Sequence, residues 1–176
     1  MKERVETMIS ADAISKRLEE LAEEIYQEFG DEQVEMICAL KGGVVTLVEL
    51  SRKMKMPVTL NFMDVSSYGN ATESSGKIDI RMDLDEDIAG KNVLMVEDII
   101  DSGRTLSHLR KLLLSRNPKK FKMFTLLDKP DRRVVDVPVD YVGFTIPDAF
   151  VVGYGLDYAQ KYRNLNYVGV LHFDED

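Results

Sequence analysis

The sequence predicts an α/β fold, a parallel central sheet flanked by helices with a small hood from the carboxyl-terminal third. Three observations predict it. The runs NVLMVED (92–98) and FKMFTLL (121–127) lack polar alternation and read as strands buried on both faces. Between them lies a helical stretch carrying Leu106, Leu109, Leu112, Leu113 and Leu114, the kind of crossover that parallel neighbours need. Beyond Pro130 the pattern changes. DYVGF (140–144), FVVGY (150–154) and YVGVLHF (167–173) are short extended segments joined by Pro- and Gly-marked turns, suited to a small sheet or a cover over one end of the main one.

Taken in chain order, the charged amino-terminal segment MKERVETMIS carries no apolar run and is grouped with the hood. From Ser10 to Gly30, Ile14, Leu18, Leu21, Ala22, Ile25 and Phe29 recur at three- and four-residue spacing, with Ser10 as cap and Gly30 as stop; this predicts an amphipathic helix. VEMICAL (34–40) reads as a strand, about Val44 to Lys53 as a helix, and VTLNFMDV (58–65) as a second strand. SSYGNATESSG (66–76) has no apolar periodicity and is expected to be a mobile excursion. KIDIRMDL (77–84) alternates and suits a sheet margin, and the acidic run DLDEDIAG (83–90) reads as a solvated connection. The whole of 1–176 is expected to form one domain, with a core of about 30–130 and a hood of 130–176 joined by the amino-terminal segment.

Composition narrows the function. The chain has 176 residues, of which 44% are hydrophobic, and 23 Lys and Arg against 31 Asp and Glu give a net charge of −8. A surface so acidic argues against nucleic acid and anionic membranes. The lone Cys38 cannot form an internal disulfide, and there is neither a signal-peptide run nor an apolar stretch of membrane-spanning length. These features predict a cytoplasmic protein with no membrane partner. His108 and His172 have no nucleophile or metal-ligating neighbour in sequence, and Cys38 sits within an apolar strand; packed or solvated roles suit all three.

The strongest motif is VLMVEDIIDSGRTL (93–106). An apolar strand ends in Glu97 and Asp98, and a loop from Ile99 to Gly103 leads through Arg104 and Thr105 into a helix. In open α/β sheets ligands bind beyond the carboxyl ends of the strands. Backbone N–H groups around Ser102–Thr105, with the Ser102 and Thr105 hydroxyls, would cradle an anion such as a 5′-phosphate. Singly, Asp101 or Ser102 suits a plain helix cap, and Glu97 and Asp98 suit solvated loop acids; three acids followed by S-G-x-T in one segment favour a ligand site. A second motif, LKGG (40–43), places two glycines and Lys41 at a strand end, where a ligand can approach the backbone. Alone it is also an ordinary turn.

The segment EDIIDSGRT resembles the 5-phosphoribosyl-1-pyrophosphate (PRPP) motif of type I phosphoribosyltransferases, in the form found in their hypoxanthine-guanine branch. It is not a P-loop. The resemblance implies the type I fold and assigns roles by position. Glu97 and Asp98 would contact the ribose hydroxyls, while Asp101, Ser102, Gly103, Arg104 and Thr105 would hold the 5′-phosphate. Asp101 would also act on the purine N7 proton, with burial against the base expected to raise its pKa. Leu40, Lys41 and Gly42 match the pyrophosphate loop, with a strained, often cis, peptide between Leu40 and Lys41. Ser67 and Tyr68 match the lid that closes over PRPP. Lys129 matches the lysine that bonds the purine 6-oxo group, and Phe150 and Val151 match the stacking aromatic and the backbone that reads the base edge. Asp157 matches a carboxylate associated with Mg²⁺, for which Glu97 and Asp98 are further candidates, and Arg163 matches an arginine that reaches the pyrophosphate. The resemblance runs from LKGG to YRNL and implies transfer of a phosphoribosyl group to hypoxanthine, and to guanine, in a homo-oligomer, dimer or tetramer. Two departures stand out: Arg104 replaces the Lys of several relatives, and nothing in the sequence separates hypoxanthine from guanine. A PRPP- or nucleotide-binding regulator on the same scaffold, or an enzyme for xanthine or a pyrimidine, stays open at this level.

Overall fold

The computed structural model describes residues 1–67 and 78–175. Its main sheet has six strands in the order β4-β3-β2-β5-β6-β7, formed by β2 (Val34–Ala39), β3 (Val58–Ser67), β4 (Ile78–Met82), β5 (Asn92–Ile100), β6 (Lys120–Asp128) and β7 (Tyr141–Thr145). All neighbours pair in parallel except β3 and β4, which are antiparallel. The sheet is therefore mixed, with the alternating KIDIRMDL segment at its margin as its pattern predicts. A smaller antiparallel sheet of β1 (Lys2–Ile9), β9 (Val168–Asp174) and β8 (Val151–Val152) forms the hood.

Three helices cover the main sheet. Helix α1 (Ala11–Phe29) starts where the Ser10 hydroxyl accepts the Ala13 N–H at 3.1 Å. It stops at Gly30, which adopts φ +61° and donates its N–H to the Tyr26 carbonyl. Its apolar stripe packs with Leu47 and Leu50 of α2 (Val44–Ser51) against Val34, Met36, Leu94, Val96 and Phe124. Leu106, Leu109 and Leu113 of α3 (Arg104–Ser115) pack on the other face against Ile37, Met63, Val93, Met95 and Met123. Burying each of these side chains contributes about 1.5–3 kcal/mol. None of the described helices is long and apolar enough to cross a membrane.

Three elements differ from expectation. The charged amino-terminal segment is a strand, because β1 lies at the edge of the hood sheet, where its charged side chains stay in water while its backbone pairs with β9. The segment 141–145, expected in the cover, instead extends the main sheet beside β6. Gly143 permits this close approach, since a Cβ there would collide with the Leu126 carbonyl. Arg17 of α1 then occupies the outer edge of β7, donating to the carbonyls of Val142 (2.8 Å) and Gly143 (2.9 Å). Finally, β5 runs through Glu97 and Asp98 to Ile100, leaving only residues 101–103 as the loop before α3.

Candidate active site

β2 and β5 are adjacent in the sheet, but the chain leaves β2 towards β3 and β5 towards β6, so the switch point of the topology lies between them. LKGG follows β2, residues 101–103 follow β5, and Lys129 follows β6, all at the carboxyl ends of the strands.

Because Glu97 and Asp98 lie on a strand, their side chains project to opposite sides. Glu97 joins Val65, Leu106 and Leu109 in the wall of a cavity on the α3 side. It is buried, and its Oε1 has no hydrogen-bond partner. Loss of water, reinforced by the negative charge of Asp98, pushes its pKa well above the usual carboxylate range. Asp98 turns towards LKGG and lies so close that a Cβ on Gly42 would collide with its carboxylate. Its side chain keeps an open edge but is otherwise enclosed by protein. Desolvation raises its pKa to about 6, against the hydrogen bond it accepts from the Ile99 N–H at 2.8 Å.

The tight turn after β5 depends on Gly103, which adopts φ +82° at the start of α3. The turn is braced from behind by a segment that the sequence did not reveal. The Ser102 carbonyl accepts the N–H groups of Val134 (2.9 Å) and Val135 (3.0 Å), and Arg133 Nε donates to the Asp101 carbonyl at 3.1 Å. The Ser102 hydroxyl accepts the Arg104 N–H at 3.3 Å, while Gly103 itself stands at the N-cap of α3. Residues 101–106 line the cavity, and the first N–H groups of α3 have no intrahelical acceptor. That is the chemistry of an anion site.

A second cavity, of about 530 Å³, shares Ile99, Asp101 and Ser102 with the first. Lys129, Phe150, Val151 and Asp157 line its other sides, so the structure gathers these four dispersed residues into one wall. Lys129 is 8% exposed, with its Nζ 3.6 Å from Asp101 Oδ1 and 3.8 Å from Asp148 Oδ1. Asp148 also pairs with Arg132 Nε at 2.9 Å. Phe150, 52% exposed, meets Tyr158 edge-on at 5.8 Å and leaves the rest of its ring uncovered. A largely exposed aromatic ring and a buried ammonium lining one cavity suit a flat heterocycle with a carbonyl acceptor. Asp101, expected to be buried here, is exposed at the rim.

At the far end the Leu40–Lys41 peptide is cis, as the resemblance implies. Gly155 packs on this loop, and a Cβ there would collide with the Gly42 carbonyl. Arg163 donates to the Gly155 carbonyl at 2.8 Å and pairs with Asp157 at 3.1 Å. Among the described residues no three His, Cys, Asp or Glu side chains converge on one point, so Glu97, Asp98 and Asp157 do not form a single metal cage. Of the two lid residues, Tyr68 lies outside the described residues, and Ser67 enters only through its backbone, paired with Ile78 at the end of β3.

A family model described as a phosphoribosyl transferase domain matches residues 6–159. The chain is 51% identical to a hypoxanthine phosphoribosyltransferase of Salmonella typhimurium, covering 99% of this chain and 100% of the relative. It is 49% identical to a hypoxanthine-guanine phosphoribosyltransferase of Bacillus subtilis, covering 97% and 96%. A crystal structure of a hypoxanthine-guanine phosphoribosyltransferase from Bacillus anthracis superposes with a TM-score of 0.89 at 48% identity, covering 94% of this chain and 97% of that one.

Proposed function

This chain belongs to the phosphoribosyltransferase family, and on that premise we propose that it is a purine salvage enzyme transferring the 5-phosphoribosyl group of PRPP to hypoxanthine, and to guanine, to give IMP or GMP and pyrophosphate. The observation that carries this reading is the junction at Asp101, where an anion cradle and a cavity walled by Lys129 and Phe150 share one boundary. The ribose, attached to both a 5′-phosphate and an incipient purine, would span that boundary.

Within this reading the α3 turn holds the 5′-phosphate through backbone N–H groups, with Ser102, Arg104 and Thr105 around it. Glu97 and Asp98 face the ribose. Phe150 stacks on the base, Lys129 donates to its 6-oxo group, and the Val151 backbone meets its edge. Asp101 accepts the N7 proton as N9 bonds to the ribose carbon and the bond to pyrophosphate breaks. Lys41 and Arg163 receive the departing pyrophosphate.

The site also fits Mg²⁺. A buried carboxyl oxygen of Glu97 without a partner, beside an Asp98 whose pKa burial raises to about 6 against the pull of Arg163, marks two acids whose ionised forms the protein compensates only in part. Mg²⁺ characteristically takes one or two carboxylates together with substrate oxygens and water, so a three-acid cage is not needed. Glu97 or Asp98 would hold one such ion and Asp157 would serve another; bound there, the metal neutralises charge on the pyrophosphate. We read the protein as cytoplasmic, from its lone cysteine and the lack of a signal-peptide run, and as homo-oligomeric, as the resemblance implies.

The test is a parallel assay of PRPP and Mg²⁺ with hypoxanthine, guanine, xanthine, adenine and uracil. Product is expected with hypoxanthine and guanine, because the Lys129 ammonium can donate to a 6-oxo group but not accept from a 6-amino group. Turnover confined to xanthine or uracil would replace the assigned substrate. No product with any base would overturn the enzymatic reading.

A further inference from the structure

Lys41 and Arg163, assigned above to the pyrophosphate, come from different parts of the fold, one from the loop after β2 and the other from the loop between β8 and β9. Two cations that must meet one polyanionic group repel each other before it arrives, and both have long flexible side chains. One residue between them answers both problems. The Gln160 side-chain oxygen accepts from Lys41 Nζ at 3.2 Å and from Arg163 Nη2 at 3.2 Å.

The backbone around Gln160 is shaped for this reach. Gln160 has φ +66° and follows Ala159 at φ +50°, and its N–H donates to Asp157 Oδ2 at 2.9 Å. Tyr158 and Lys161 close the loop by mutual backbone hydrogen bonds of 3.1 and 2.9 Å. Next to it, Lys161 pairs with Glu3 of β1 at 2.6 Å, and Tyr162 donates its hydroxyl to the same carboxylate. The hood sheet thus anchors the loop on one side while Gln160 projects from it towards Lys41.

We propose that Gln160 is a positioning residue of the pyrophosphate end of the site, its amide oxygen holding Lys41 and Arg163 together so that both cations are aligned before PRPP binds. The proposal rests on the reading of those two cations as pyrophosphate ligands. The chemistry of the amide is what suits it to the task. Its oxygen carries enough partial charge to accept from two cations, yet it brings no net charge, so both positive charges remain available to the substrate.

The test uses Gln160→Met, which keeps the length of the side chain and removes the oxygen. Its KM for PRPP is expected to rise about tenfold, the equivalent of one lost hydrogen bond to a charged group, while kcat and the KM for hypoxanthine stay within twofold. Gln160→Glu, which restores the acceptor but adds a negative charge, is expected to leave the PRPP KM well above that of wild type, because the carboxylate competes with the substrate for both cations. In the Lys41→Met background, the further change Gln160→Met should cost much less than it does alone. An unchanged PRPP KM, an equal rise for both substrates, or additive effects in the double variant would overturn the proposal. Should Gln160→Met fail to fold, Gln160→Asn decides: one methylene too short to reach both cations, it must then raise the PRPP KM while the KM for hypoxanthine stays within twofold, and an unchanged PRPP KM overturns the proposal. If the wild-type enzyme transfers no phosphoribosyl group at all, the functional reading falls instead, which the base panel reports separately.

Discussion

Asp101 stands where the two cavities meet, its carboxylate 3.6 Å from the Lys129 ammonium. Its side chain is 54% exposed, against 10% for that of Lys129. The pair is lopsided: the lysine is fixed, held also by Asp148, while the aspartate can turn towards whatever enters from the solvent side. In the proposed site a base that enters with its 6-oxo group on Lys129 would bring N7 alongside Asp101, so that the contact between the two side chains would serve as a ruler for the purine's edge. Asp101→Asn removes the proton acceptor but keeps the shape and leaves the Ser102 turn intact. Turnover is expected to fall about 10²–10⁴-fold with the KM for PRPP little changed, checked by steady-state kinetics in both substrates. Wild-type turnover in that variant would remove Asp101 from proton transfer.

Among the elements, β5 and the turn after it carry most of the site, and here the sequence was most legible. The both-sides-buried runs 92–98 and 121–127, the Leu-rich crossover and the cap and stop of α1 are local patterns with local causes, and each element forms close to where its pattern places it. Legibility ended where an element depends on a distant partner. Nothing in MKERVETMIS says strand, because β1 is made by pairing with β9 at the other end of the chain. The segment YVGFT reads as an extended piece of the cover until Leu126 is seen beneath its glycine. The bracing of the cradle by Arg133, Val134 and Val135 is invisible for the same reason, since it consists chiefly of backbone hydrogen bonds across some thirty residues. Exposure of Asp101 is a property of the pocket rim, and the motif alone carries no information about it. The bracing makes Gly103 a sensitive point. Gly103→Ala must place a side chain at φ +82° and against the Val135 carbonyl, which is expected to destabilise the protein by about 1–3 kcal/mol. It should also raise the KM for PRPP several-fold, as the brace is pushed away from the cradle. Thermal melts and PRPP kinetics read the two effects separately, and a variant with normal PRPP affinity would show that the turn does not shape the phosphate site.

For the whole molecule, a net charge of −8 runs against a substrate as anionic as PRPP. In the proposed site the conflict is resolved by placement, because backbone N–H groups, Lys41, Arg104 and Arg163 would meet the phosphates while much of the negative charge is spread over outer faces in exposed pairs such as Lys119–Glu32 and Lys55–Glu23. Such pairs contribute little to stability. Two carboxyl groups are instead placed inside, at Glu97 and Asp98, where loss of water raises both pKa values and the charge of Arg163 offsets this only in part for Asp98. The consequence is a pH dependence of defined sign. The Asp98 carboxyl is raised from 3.8 to about 6 by burial, so the folded state holds its proton more tightly than the unfolded chain does. Its contribution to stability is complete below about pH 4, falls as the pH rises towards 6, and is level above. Asp98→Asn stays neutral throughout. The difference between the variant and wild type, in which the surface acids cancel, should therefore be near zero at pH 4 and reach about 3 kcal/mol in favour of the variant by pH 7. At about 2–4 °C per kcal/mol for a chain of this size, melts without metal or substrate would resolve it easily. Mg²⁺ with PRPP should reverse the order at pH 7, because the cation stabilises the ionised wild-type carboxylate and finds only an amide in the variant. A variant no more stable than wild type at pH 7 would show that Asp98 is ionised without penalty, and the case for a cation beside it would lose its physical basis.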